Sequence, residues 1–222
     1  MLTAPKPAPA LEWECSPAPV LYPDAMARME ARATAISSGQ ATELAWLLEH
    51  PPLYTAGSSS KEQDLLDGAR FPVYRTGRGG QYTYHGPGQR VGYVMLDLKR
   101  RAAPEEPDIR RFVEQMEAWL IRTLAQFGVK GFIREGRIGV WVETPAGEAK
   151  IGALGIHVRR WVTTHGMCLN VNPDLSHYAG IVPCGLRGYG VTSLHTLGVK
   201  ASMAEVDAAL QSTFAEVFEA DK

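Results

Sequence analysis

From Pro23 to about Ser38, Met26, Met29, Ala33 and Ile36 recur at spacings of three and four. That pattern predicts an amphipathic helix whose methionines face a core, with Asp24 placed to cap it. A longer helix is predicted over Asp108–Phe127, where Ile109, Phe112, Val113, Met116, Trp119, Leu120, Leu124 and Phe127 keep helical period and Gly128 ends the run. A third opens at a capping box, Ser202-Met203-Ala204-Glu205, and carries Val206, Leu210, Phe214 and Val217 on one face. Between helices the period falls to two. Glu43–Glu49 is an apolar run stopped by Pro51-Pro52, which reads as a buried strand followed by a Gly/Ser/Thr loop. Phe71–Thr76, Arg90–Lys99, the alternating Ile138, Val140 and Val142, then Lys150–Val158 and Val162–Val171 read as further strands, with a turn at Pro145-Ala146-Gly147. Residues 77–89, GRGGQYTYHGPGQ, read as a glycine-rich loop that brings backbone close to a ligand. The order of elements implies an α+β fold with a mixed, largely antiparallel sheet flanked by helices. Residues 1–10, rich in Pro and Ala, read as a flexible tail, and 11–222 as a single catalytic domain.

Composition narrows the class. The chain has 222 residues, 45% of them hydrophobic and 21% charged, which excludes a disordered or fibrous protein. A chain of this length buries about 70% of its unfolded surface and needs no crosslinks for a core. With 23 basic against 24 acidic residues the net charge is −1, so no global field points to nucleic acid or an anionic membrane. There is no apolar run of membrane-spanning length and no secretory leader, so a cytoplasmic protein is expected. Cys15, Cys168 and Cys184 are odd in number and stand in unrelated contexts, which suits a reducing compartment and argues against structural zinc.

Few motifs carry chemistry. GxxxxGK[ST] is absent, the glycines at 77–80 lack the rest of a dinucleotide fingerprint, and HExxH is absent. Cys184 lies in Ile181-Val182-Pro183-Cys184-Gly185-Leu186, a constrained turn near Arg187. A thiol at pKa about 8.5 is mostly protonated at neutral pH, so nucleophilic work there requires a neighbouring cation or base; otherwise Cys184 is a small buried hydrophobe. Lys150 opens Lys150-Ile151-Gly152-Ala153-Leu154-Gly155, where desolvation among small apolar neighbours suits proton exchange, or it is a solvated strand end. His85 and His165 both border glycines and read as hydrogen-bonded structural histidines.

Taken together, RGGQYTYHGPGQ (78–89), KIGALGI (150–156), THGMCLNVNPDL (164–175) and IVPCGLRGYGVTSL (181–194) closely resemble the octanoyltransferases of lipoate biosynthesis, over roughly residues 40–195. The resemblance implies a fold similar to lipoate and biotin protein ligase catalytic domains. It implies transfer of an octanoyl group from octanoyl-acyl carrier protein to a specific lysine of lipoyl domains, including those of 2-oxoacid dehydrogenase complexes and the glycine cleavage H protein. On this resemblance Cys184 is the nucleophile that holds the acyl group as a thioester, and Lys150 lowers its pKa and relays protons. Substrate contacts map onto Arg78, Gly79, Gly80, Gln81, Tyr82, Thr83, Tyr84 and His85, onto Ala153, Leu154 and Gly155, and onto Gly166, Met167 and Cys168. Backbone N–H groups near Gly155 or Cys184 are candidates for an oxyanion site. Cys168 departs from the small apolar residue usual in the family and is expected to be a tolerated pocket lining. A thioester donor is already activated, so no cofactor, ATP or metal is expected.

Three alternatives stand beside this reading. An ATP-dependent lipoate or biotin ligase shares the fold but has no need of Cys184. An amidotransferase moving octanoyl between lipoyl-domain-like proteins uses the same chemistry with another donor. A non-catalytic acyl-binding module would have no need of the Lys150 and Cys184 pair. Acidic protein partners make Lys99-Arg100-Arg101, Arg110-Arg111 and Arg159-Arg160 candidate landing points. A monomer is expected.

Overall fold

The computed structural model describes residues 11–185 and 188–219, with only the backbone of Cys184. The segment expected to be a tail, 1–10, lies outside the described residues. Among the described residues eleven strands and four α-helices follow in chain order: β1 (Leu11–Cys15), α1 (Tyr22–Ser37), β2 (Glu43–Leu48), β3 (Leu53–Ala56), β4 (Val73–Arg75), β5 (Tyr82–His85), β6 (Gln89–Met95), α2 (Leu98–Ala102), α3 (Ile109–Ala125), β7 (Phe132–Arg134), β8 (Arg137–Thr144), β9 (Gly147–Arg159), β10 (Val162–Asn170), β11 (Gly190–Val191) and α4 (Met203–Phe218). The main sheet runs β1-β2-β6-β10-β9-β8-β7, with β11 added beside β9, and a smaller sheet runs β4-β3-β5. β1 pairs parallel with β2, whereas β2, β6, β10, β9, β8 and β7 pair antiparallel in succession. The expected mixed, largely antiparallel α+β architecture is therefore present.

Both faces of the main sheet are covered, which explains why β2 is buried at all six positions rather than alternating. Leu44, Trp46 and Leu48 pack with Val91, Tyr93 and Met95 against Ala25, Met29 and Ile36 of α1. Ala45 and Leu47 face the other way, with Val94, Val140, Ile151, Met167 and Leu169, toward Phe112, Met116, Trp119 and Leu120 of α3 and Leu210 and Phe214 of α4. Trp119 joins the two helices: its ring is edge-on to Phe214, with centroids 5.4 Å apart, and its Nε1 donates to Leu210 O at 2.8 Å. The capping box of α4 forms as expected, Ser202 Oγ accepting from Glu205 N.

Several elements differ from the sequence reading. Helix α1 starts one residue early because Pro23 occupies its first turn, so Leu21 is the N-cap and Asp24 sits inside the helix rather than capping it. The segment after Pro51-Pro52 is strand β3, and the expected loop at 77–89 contains β5, antiparallel to β3. The strand expected to reach Lys99 stops at Met95, since Asp97 caps α2 by accepting from Arg100 N at 3.0 Å. Leu11–Cys15, assigned no element, is the edge strand β1. Within the basic cluster 99–101, Arg101 is consumed: its NH2 lies 2.6 Å from Oε2 of the fully buried Glu43, with side-chain exposures of 9% and 0%.

Candidate active site

A cavity of about 420 Å³ lies between the α1 face of the main sheet and the segment 78–85. That volume falls in the range of small-molecule sites. Of the residues mapped by resemblance, Arg78, Gly79, Gly80, Gln81, Tyr82, Thr83, His85, Lys150, Ala153, Leu154, Gly155, Gly166, Met167 and Cys168 all line it. Tyr84 does not. Its fully buried ring packs in the small sheet between Tyr54, Phe71 and Tyr178, and its hydroxyl meets His177 Nδ1 at 2.7 Å. Cys184 lies in a single 3-10 turn, Pro183–Gly185, but its side chain is outside the described residues. Gly185 borders the main cavity, and Pro183 borders a smaller adjoining one with Lys150, Ala153 and Cys168.

Arg78 organises the glycine-rich segment. Its guanidinium donates to Gly79 O at 2.9 Å, Thr55 O at 3.0 Å, Thr55 Oγ1 at 2.6 Å and Gln81 O at 2.9 Å, tying the loop to β3. Gly155 makes room for it, because a Cβ there would stand 2.9 Å from Arg78 Cδ and 3.1 Å from Gly79 O. Close packing accounts for glycine at this position.

Lys150 reaches the cavity through a β-bulge. Across the β8 and β9 ladder Val140 faces Gly152 and Trp141 faces Lys150, so Ile151 is the extra residue. Strict alternation from Ala153 would send Ile151 to the cavity face and Lys150 to the α3 face; the bulge exchanges them. Ile151 joins the α3 core and Lys150, only 6% exposed, enters the cavity wall. Its Nζ donates to Ile138 O at 2.7 Å and stands 4.9 Å from the centre of the Trp141 ring. Its own carbonyl accepts from Thr192 N at 2.9 Å, which pins the strand beside β11. The solvated strand end weighed as an alternative is thereby excluded.

His165 arrives by a second irregularity. Met167 and Leu169 face α3 and α4, so alternation would send His165 there too. Instead its backbone is left-handed, φ 60°, and its ring meets Tyr93 edge-on at 5.9 Å on the opposite face, lining the cavity. Holding a non-glycine residue so costs on the order of 1–3 kcal/mol, which the surrounding core sustains.

Among the described residues that line the cavity, the charged side chains are Arg78, Arg137 and Lys150. Burial pushes the His50 imidazole down to about 4 and His165 to about 3, the Arg78 charge adding to the second. His85 is likewise held well below the ordinary value, first by burial and then by His50. All three are therefore neutral at neutral pH. His50 bridges Val20 O at 2.6 Å and Tyr93 OH at 2.7 Å, and His85 Nδ1 lies 2.7 Å from Gln89 Oε1. Gln89 Nε2 donates onward to Tyr84 O, Asn170 Oδ1 and Tyr178 OH. His85 is thus hydrogen-bonded as expected, and both His85 and His165 line the cavity. Sequence reasoning missed Tyr22, His50, Val91 and Tyr93; the three that line the cavity directly are scattered over α1 and β6, where burial period is their only signal.

Among the described residues no cluster of three His, Cys, Asp or Glu side chains is arranged to hold a metal, and no helix is long and apolar enough to cross a membrane. Residues 21–215 match the lipoyl protein ligase A/B catalytic domain family. The chain is 62% identical to an octanoyltransferase of Paramagnetospirillum magneticum over 95% of its length and 98% of that protein's. It is 60% identical to an octanoyltransferase of Parvibaculum lavamentivorans over 94% of its length and 93% of that protein's. In fold it is similar to a bi-partite lipoate protein ligase from Thermoplasma acidophilum, with a TM-score of 0.68 at 19% identity, covering 95% of this chain and 85% of that one.

Proposed function

Because the chain belongs to the lipoyl protein ligase A/B catalytic domain family, and within it to the octanoyltransferases, we propose that it moves octanoyl from octanoyl-acyl carrier protein to the target lysine of lipoyl domains through a thioester on Cys184. The observation that carries this reading is the bulge at Ile151, which turns a buried lysine into the wall of a cavity that the Cys184 turn also borders. The neutral imidazoles suit the cavity to an apolar chain, since among the described residues lining it only Arg78, Arg137 and Lys150 carry a charge to be desolvated.

In the first half-reaction the Lys150 ammonium favours the thiolate of Cys184. Sulfur attacks the thioester carbonyl of the donor, the carbon–sulfur bond to the carrier breaks, and the departing thiolate takes a proton from Lys150. In the second, the acceptor amine attacks the enzyme thioester, the bond to Cys184 breaks, and the amine's proton passes to Lys150. One group donates and then recovers a proton, so the cycle closes. The donor carbonyl is already activated, so neither half-reaction requires ATP.

The test is the intact mass of the enzyme after mixing with octanoyl-acyl carrier protein without ATP, beside Cys184→Ser and an arm with octanoate plus ATP. A hydroxylamine-labile octanoyl adduct, absent from Cys184→Ser and passed on to an apo lipoyl domain, supports the reading. Modification only in the ATP arm transfers the chain to the ligases and leaves Cys184 a structural residue.

A further inference from the structure

The peptide between Ile138 and Gly139 is held at both ends. Its oxygen, Ile138 O, accepts from Lys150 Nζ at 2.7 Å. Its N–H, on Gly139, donates to Oε1 of Glu117 at 2.8 Å. Glu117 projects from α3 and is 8% exposed. A carboxylate accepting from a peptide N–H polarises that amide and strengthens its oxygen as an acceptor for an ammonium. Carboxylate, peptide and ammonium thus form one charge-assisted chain from α3, through β8, to the cavity wall.

Two further observations fit this arrangement. Gly139 has φ +117°, and a Cβ there would lie 2.7 Å from Gly152 O and 3.2 Å from Lys150 Nζ. The peptide can take this orientation, and the ammonium this place, only with glycine at 139. The neighbouring inward positions of α3, Phe112, Met116, Trp119 and Leu120, are apolar, and an apolar residue at 117 would avoid the cost of burying a carboxyl. Burial does push the Glu117 carboxyl up, while the Gly139 N–H and the Lys150 charge pull it back.

We propose that Glu117 is a positioning residue for Lys150, acting through the Ile138–Gly139 peptide. The proposal rests on the reading of Lys150 as the proton relay. The charged groups facing Glu117 are Lys150 from β9 and Glu114 from its own helix; Lys150 also faces Trp141 from β8. The role is to fix the ammonium where it exchanges protons, so substrate affinity is left alone.

The experiment compares Glu117→Ala and Glu117→Gln with wild type, Lys150→Ala and Cys184→Ser. It reads the single-turnover acylation rate from octanoyl-acyl carrier protein, kcat and KM for the lipoyl domain, the pH–rate profile and Tm. Glu117→Ala is expected to lose about 10- to 100-fold in rate, the range of a charged hydrogen bond, with KM within about twofold. Glu117→Gln retains an oxygen for the Gly139 N–H but not the charge; it is expected to recover part of that rate, with the basic limb of its profile moved to lower pH. A wild-type rate and profile in Glu117→Gln, or equal losses in both variants accompanied by matching falls in Tm and rises in KM, overturns the proposal. Should Glu117→Ala fail to fold, Glu117→Gln alone decides. Undiminished turnover in Lys150→Ala, or acylation of Cys184→Ser, removes the underlying reading whatever Glu117 does. Loss in those two with wild-type behaviour at Glu117 removes this inference only.

Discussion

Three buried neutral imidazoles make the fold acid-labile in a calculable way. Their folded-state pKa values lie below the ordinary 6.5, at about 4 for His50, about 3 for His165 and well below 6.5 for His85. As pH falls through 6.5 the unfolded chain takes up protons that the folded chain refuses. Stability is therefore fully present above that value and is lost on acidification, the loss from each histidine ending only at its folded-state pKa. Between pH 7.5 and 5.5 His50 and His165 each give up a little over about 1 kcal/mol, so these two remove about 3 kcal/mol, and His85 adds to the loss in the same direction. Against a typical domain stability of about 5–15 kcal/mol this is a large share. Glu43 and Glu117, whose carboxyls burial raises, act with the opposite sign and offset part of the loss as their own range is reached. Urea unfolding followed by tryptophan fluorescence at half-unit steps from pH 7.5 to 5.5 measures the slope. Imidazole nitrogen spectra of the folded protein over the same range should show the rings of His50, His85 and His165 remaining neutral. Equal stability at both ends to within about 1 kcal/mol, or titration of the His50, His85 and His165 rings near 6.5, would refute the burial argument.

Other consequences are local. Gly155→Ala places a methyl 2.9 Å from Arg78 Cδ and disturbs its four acceptors; a stability loss of about 1–3 kcal/mol is expected in thermal denaturation, with transferase activity falling alongside. Glu43→Ala leaves Arg101 buried opposite a void, at about 3–5 kcal/mol by urea unfolding, while replacing both partners with apolar residues of similar volume should cost far less. Cys168 sits between Val91 and Ala153 on the α1 face of the sheet. Cys168→Ala should keep transferase turnover, and a large loss in a steady-state assay would show that the thiol does more than fill space.

The backbone of the fold was readable where two signals coincided. Helix α3 has apolar period and a glycine stop, α4 has a capping box and a stripe, and β2 has six apolar or paired positions ended by prolines. Elements with one weak signal were not. Strand β1 is a half-exposed edge behind a proline-rich stretch, β3 is four residues long between prolines and glycine, and β5 lies in a segment whose glycines imitate a loop. In each case pairing with a distant strand, not local propensity, decides the conformation.

The segments mapped by resemblance line one cavity, Tyr84 apart, whereas strand period did not mark it, for a physical reason. Strand alternation assigns faces only while the ladder is regular, and the two side chains that give this cavity its character arrive by breaking it. Lys150 reaches the cavity because Ile151 is an extra residue in β9, and His165 because its own backbone turns left-handed in β10. Both departures place a polar group on a face otherwise built from Tyr93, Val91, Cys168 and Ala153. Regular strands in those positions would have given isoleucine in the wall, lysine in the α3 core, and an unworkable buried charge. The irregular backbone is thus the structural cost of putting Lys150, the proposed proton relay, into the wall of this pocket, and the bulge together with Gly139 and the left-handed turn at His165 are where that cost is concentrated.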